Sequence, residues 1–254
     1  SDVDGERFHM LGARSVTVAG NLKADTAPPP LPDREAALAL AQAIARRPTF
    51  AAVSTHAGEE AIIADVHRKV SERLPRLMTI IVPRHVERAP EIVKELTGKG
   101  LRVARRSLGE MPDPTTDIYL GDTVGEMGLY LRLTEVAFVG RSLAGEGGQN
   151  PLEAAMLGTA VLSGRYVQNF RDIYQRLIKN GGARIVKDGE QLAEEVELLL
   201  TDAEARAAMS AAGKASVHEM RGALSRTMQA LEPFLHPLRL TLNFERRQRG
   251  DPHR

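Results

Sequence analysis

A chain of 254 residues is long enough for one large domain or two small ones, and 43% hydrophobic residues suffice for a buried core. A net charge of +1, built from charges of both signs, carries no field that would mark a nucleic-acid-binding protein, and 4% aromatics without Trp argue against a stacking platform for single strands. Cys is absent, which excludes disulfides and thiolate metal sites, and the seven His show no metal-ligand pairing at helical spacing.

Taken in chain order, Asp4-Gly5-Glu6-Arg7-Phe8-His9-Met10-Leu11-Gly12 reads as the end of a helix without a Met start, the expectation for a piece of a longer chain. Residues 27–32 form a stiff Pro-rich linker, and Asp33 caps an Ala-rich helix. Short apolar runs predict strands over 50–54, 78–82, 101–104, 117–120, 136–139, 160–162 and 183–186. None approaches the length of a bilayer span, and no signal peptide is visible. Between the strands, Ile62, Ile63, Val66, Val70 and Leu74 share one helical face. Phe170, Ile173, Tyr174 and Leu177 share another, ending at Gly181-Gly182. The alternation predicts an α/β fold with a doubly wound parallel sheet.

Ligands of such sheets bind beyond the carboxyl ends of the strands. There the chain gathers Ser54-Thr55-His56-Ala57-Gly58-Glu59-Glu60, Pro83-Arg84-His85, Gly121-Asp122-Thr123, and Gly140-Arg141-Ser142. The most informative piece is Gly147-Gly148-Gln149-Asn150-Pro151-Leu152-Glu153, read as a glycine turn opening a helix with Asn150 as N-cap and Pro151 at the first position. Free amides and a positive dipole end favour a phosphate there, and Glu153, one turn in, suits ribose hydroxyls. Each piece also has a plain structural reading. Ser54-Thr55 and Asp122-Thr123 can be helix caps, Arg84 can pair with a surface carboxylate, His56 and His85 can orient loops, and Gly147-Gly148 can be a tight connection. Neither a Walker A sequence nor G-x-G-x-x-G is present.

The ordered series Gly20-Asn21-Leu22-Lys23 with Asp25, then 54–60, Val82-Pro83-Arg84-His85, Leu120-Gly121-Asp122-Thr123 with Gly125-Glu126, and 147–153 resembles the motifs of 3-deoxy-D-manno-octulosonic acid (Kdo) transferases. Asn169-Phe170-Arg171 matches a later motif, and the resemblance covers roughly residues 1–200. It implies the C-terminal, Rossmann-like domain of a glycosyltransferase-B fold. Residues 1–32 would be the tail of an N-terminal domain plus linker, 33–240 the CMP-Kdo-binding domain, and 241–254 a flexible tail. The implied reaction transfers Kdo from CMP-Kdo to the lipid A precursor in lipopolysaccharide biosynthesis, at the cytoplasmic face of the inner membrane.

Donor-binding residues implied by the motifs are Ser54, Thr55, His56, Arg84, Gly121, Asp122, Thr123, Gly125, Glu126, Gly147, Gly148, Asn150 and Glu153. No metal, cofactor or nucleic acid is implied. Membrane attachment, the lipid acceptor and the catalytic glutamate would belong to an N-terminal domain outside this sequence. A UDP-sugar-dependent glycosyltransferase-B domain and a non-catalytic nucleotide-binding module are the alternatives. Three positions depart from the family pattern: Ala24 where Phe is usual, Arg141 where Gly is usual, and Gln149 where His is usual.

Overall fold

The computed structural model describes residues 1–31 and 33–248, with 236–248 described as backbone alone. Pro32 and residues 249–254, which include part of the expected linker and tail, lie outside the described residues. In chain order the elements are α1 (Asp2–Met10), α2 (Arg34–Ala43), β1 (Thr49–Thr55), α3 (Glu59–Ser71), β2 (Met78–Pro83), α4 (Ala89–Gly98), β3 (Val103–Arg105), β4 (Ile118–Leu120) and α5 (Met127–Arg132). Then come β5 (Val136–Val139), α6 (Leu152–Leu157), β6 (Ala160–Gly164), α7 (Arg171–Lys179), β7 (Ala183–Val186), α8 (Gly189–Thr201), α9 (Ala203–Met220) and α10 (Ala223–Gln248). The chain divides into two compact units, residues 27–217 and residues 1–26 with 218–254.

The larger unit holds a seven-stranded sheet in the order β3-β4-β2-β1-β5-β6-β7, with every pairing parallel. Successive strand residues face opposite sides of the sheet, and here both sides are covered. Phe50 and Ala52 of β1 belong to a core that includes Ile63, Val66, Ile81, Ile92, Phe138, Leu162 and Val196. Their neighbours Ala51 and Val53, pointing the other way, are also buried. That is why the strands read as unbroken apolar runs. At the amino end of the sheet one arginine closes the edge: Arg47 donates to the carbonyls of Arg76, Leu77, Asp113 and Thr116.

In the smaller unit, Asn21 accepts the Lys23 N–H, and the Asp25 carboxylate accepts the N–H groups of Gly222 and Leu224, both at 2.6 Å. Those backbone bonds, Leu224 first, lower the Asp25 pKa. The acid thus caps the start of α10, as expected of a carboxylate beside unsatisfied amides. Ala24, one of the three departures, is fully buried. Helix α10 continues to Gln248, into the segment expected as tail from residue 241. Among the described residues no helix is long and apolar enough to cross a membrane.

Candidate functional site

Strand β1 lies between β2 and β5. The chain leaves β1 for β2 on one side and later returns to β5 on the other, so the topological switch point falls between β1 and β5. At the end of β1 the register slips between Val53 and Thr55, and Ser54 takes a φ of 56°, which is uncommon for a residue with a side chain. The Ser54 carbonyl lies 3.1 Å from His56 Nδ1, so that nitrogen carries the proton. Burial pushes the His56 pKa down, and the nearby Arg141 and His85 charges push the same way. Its ring meets that of His85 edge-on at 5.6 Å.

Two acids that follow have structural roles. Glu59 is fully buried. Its Oε2 accepts the N–H groups of His56 (3.0 Å) and Arg141 (2.6 Å), and its Oε1 those of Ser142 (2.8 Å) and Leu143 (3.1 Å). One carboxylate thereby ties the end of β1 to the loop after β5. Glu60, also buried, accepts from the Thr55 hydroxyl at 2.9 Å and from both Nη atoms of Arg88. Thr55, expected to meet a ligand, is therefore turned inward.

At the end of β2, the Arg84 N–H donates to the Thr55 carbonyl at 3.0 Å, which places Arg84 beside the switch point. Its side chain is exposed and makes no hydrogen bond or ion pair among the described residues. The end of β4 differs. It is separated from β5 by β2 and β1, and its polar side chains are bound to one another. Asp122 receives Arg105 (3.0 and 2.8 Å) and the Ser107 N–H and hydroxyl (2.9 and 2.6 Å). Burial raises its pKa, but the Ser107 and Arg105 bonds outweigh that and hold it below the usual value. Glu126 is lowered by its forked bond from Arg106 (3.0 and 2.7 Å) and also receives the Thr123 and Tyr130 hydroxyls. Gly121 is required because a Cβ there would lie 2.6 Å from the Tyr130 ring. Asp122, Thr123 and Glu126, expected at the ligand, join the end of β4 to β3, to the turn after it and to α5. Gly125, with φ of 86°, is an exposed turn residue in the same loop.

The glycine corner also departs from expectation. Gly147 and Gly148 have φ of 112° and 72°, and both are buried. The Gly147 N–H donates to Gln168 Oε1 at 3.0 Å and the Gly148 N–H to the Arg141 carbonyl at 2.9 Å. A Cβ on Gly147 would meet Asn169 Nδ2 at 2.5 Å, and one on Gly148 the Tyr166 carbonyl at 2.7 Å. The two glycines are there so that the loop can pack, and their amides are already bonded. The N–H groups of Gln149 and Asn150 carry no hydrogen bond among the described residues. Asn150 Oδ1 accepts the Leu152 N–H at 3.2 Å, and Pro151 already has near-helical φ and ψ of −83° and −10°. The capping role holds, with the assigned helix beginning one residue later than expected, a difference within the usual scatter. Glu153 sits half-buried on the first turn of α6. Among the described residues no cluster of three or more His, Asp or Glu could hold a metal ion.

Sequence reasoning passed over Glu59 as a site-builder, together with Gln168, Arg105, Arg106 and Ser107. A carboxylate three residues after a strand-end His, just past a glycine, was a usable signal for Glu59. No local signal marks the others, whose partners lie 15–21 residues away.

No protein-family model matches the chain. The 3-deoxy-D-manno-octulosonic acid transferase of Bordetella pertussis is 38% identical over 243 residues, covering 92% of this chain and 55% of that protein. A crystal structure described as the C-terminal CMP-Kdo binding domain of WaaA from Acinetobacter baumannii is 31% identical, with a TM-score of 0.69, covering 72% of this chain and 96% of that one. The chain belongs to the Kdo transferase family. It spans about half the length of the curated Kdo transferases it matches. The fold is that of a glycosyltransferase-B domain. It is shared with the lipopolysaccharide glycosyltransferase WaaG, which is 14% identical with a TM-score of 0.52 over 80% of this chain and 51% of that one.

Two departures from the Kdo transferase pattern fall at the switch point. Arg141 adopts φ of 55°, a conformation that suits the expected glycine. Gln149 uses its backbone carbonyl to accept the Tyr174 hydroxyl at 3.3 Å. Asn169, from the later Kdo transferase motif, donates its N–H to the Gly147 carbonyl at 2.9 Å and so buttresses the corner.

Proposed function

We propose that this chain is the donor-binding part of a Kdo transferase, holding CMP-Kdo while Kdo is transferred to the lipid A precursor. The observation that carries the reading is the exposed, unpaired Arg84 beside the β1–β5 switch point, in a chain 31% identical to a domain described as binding CMP-Kdo. As CMP leaves, the phosphate gains charge and the anomeric carbon develops oxocarbenium character. Arg84 and the N–H groups of Gln149 and Asn150 would stabilise that phosphate electrostatically. Helix α6, at six residues, adds only a short dipole.

Glu153 would accept the ribose hydroxyls, and Ser54 and His56 would line the crevice. Thr123 has its hydroxyl committed to Glu126, so reading of cytosine would fall to the backbone of the loop around Gly121 and Gly125. The resemblance to Kdo transferases implies that a glutamate in a further domain activates the acceptor; within this chain Glu59, Glu60 and Glu126 are each engaged by internal donors. That domain would also supply the lipid contact, at the cytoplasmic face of the inner membrane.

Paired substitutions test the orientation of the nucleotide. Loss of a charge-assisted contact of ~1.5–3 kcal/mol weakens binding roughly 10- to 150-fold. Arg84→Ala is expected to weaken CMP by that factor and cytidine little, because cytidine lacks the phosphate. Glu153→Gln is expected to weaken both about equally. Calorimetric titration reads both, and the reverse pattern would place the phosphate and the ribose at opposite ends.

A further inference from the structure

Among the non-glycine residues with positive φ, Ser54 and Arg141 close the ends of the neighbouring strands β1 and β5. Residues held in such conformations persist where the surroundings over-determine them, and they gather at ligand sites. Arg141 is fixed from both sides. Its N–H donates to Glu59 at 2.6 Å, and its carbonyl accepts the Gly148 N–H at 2.9 Å. Glycine would satisfy the same backbone without strain, so it is the side chain of Arg141 that needs an account.

That side chain is exposed and makes no hydrogen bond or ion pair among the described residues. Other arginines of the carboxyl edge are engaged: Arg88 with Glu60, Arg105 with Asp122, Arg106 with Glu126, and Arg165 over the Tyr166 ring. Arg84 shares the unpaired condition of Arg141. The two stand at the ends of β2 and β5, on either side of β1. The Arg141 charge reaches the middle of this space, since it helps depress the His56 pKa.

A nucleotide-activated sugar acid carries two separate anions, the phosphodiester and the sugar carboxylate. We infer that Arg141 is a specificity-determining residue that pairs with the carboxylate of the donor sugar acid, while Arg84 takes the phosphate. This assignment rests on the donor-binding reading above. A guanidinium suits it because its planar fork matches a carboxylate in two parallel hydrogen bonds.

The test combines melting and titration of the whole chain with CMP and with CMP-Kdo. Arg141→Gly is expected to leave the melting temperature unchanged or to raise it by about 2–4 °C, because strain is relieved. It is expected to keep CMP affinity within about twofold and to weaken CMP-Kdo by roughly tenfold or more. Arg141→Lys, which keeps the charge without the fork, should recover part of the loss. Equal loss for both ligands, loss for neither, or a wild-type chain that binds CMP-Kdo no more tightly than CMP overturns the Arg141 assignment and leaves the nucleotide site standing. A clear fall in melting temperature makes Arg141 a structural residue and overturns it equally. Failure of the wild-type chain to bind CMP at all overturns the donor reading itself, and this inference with it.

Discussion

Glu59→Gln is expected to destabilise the larger unit by about 3–5 kcal/mol, because a buried carboxylate that satisfies four backbone donors loses half its acceptors. Its oxygens accept His56 and Arg141 on one side and Ser142 and Leu143 on the other. A carboxamide has one oxygen, so whichever way it turns, its NH2 faces two N–H groups that have no other partner here. Losses of this size convert to a lowering of the melting temperature by roughly 6–20 °C at about 2–4 °C per kcal/mol. Thermal denaturation followed by circular dichroism reads it directly. A shift smaller than about 2 °C would mean that the loops relax to find other acceptors, and that Glu59 does not fasten β1 to β5.

Gly164→Ala is expected to have an effect of similar size from a different cause. A methyl on Gly164 would fall inside the van der Waals envelope of the Ser142 carbonyl. Ser142 cannot retreat, since its N–H is on Glu59, its hydroxyl donates to the Val139 carbonyl at 2.7 Å and accepts the Gly164 N–H at 2.8 Å, and its carbonyl accepts the Tyr166 N–H at 3.1 Å. Backbone pressed on pinned backbone puts the cost at or above the usual overpacking range of ~1–3 kcal/mol. Gly98→Ala is the control with the opposite sign. It lies at the end of α4 with nothing within 4 Å and should stabilise by up to ~1 kcal/mol. Urea denaturation of the two variants separates steric cost from a general intolerance of alanine. Equal midpoints for the two variants would contradict the packing argument.

The sheet was legible because strands covered on both faces read as short apolar runs. The bounds of β5 and β7 agree with the runs over 136–139 and 183–186. Strand β3 begins two residues later than its apolar run, because Leu101 is buried ahead of the ladder without pairing in it. The site was legible in its location but only partly in its chemistry. A glycine pair at a strand end signals close packing, and the sequence does not say whether a ligand or the chain itself approaches. At Gly147 and Gly148 it is the chain: Gln168, Asn169, Tyr166 and the Arg141 carbonyl occupy the space. In the same way, the sequence does not show that Asp122 and Glu126 are held internally, because the arginines that hold them, Arg105 and Arg106, come from β3 and the residue after it, brought alongside by parallel pairing. Arg84 kept its expected role as a candidate because nothing in the fold took it.

Titration of the wild-type chain with CMP and UMP tests the central claim most directly. The two ligands share ribose and phosphate and differ in the base, where a donor in cytosine becomes an acceptor in uracil. A site built for a cytidine nucleotide rejects that reversal by roughly tenfold or more, since one hydrogen-bonding group is left facing its like. The expected result is weak but measurable binding of CMP and at least tenfold weaker binding of UMP. Equal affinity for the two, or binding of neither, would contradict the assignment of this chain as the CMP-Kdo-binding part of a Kdo transferase.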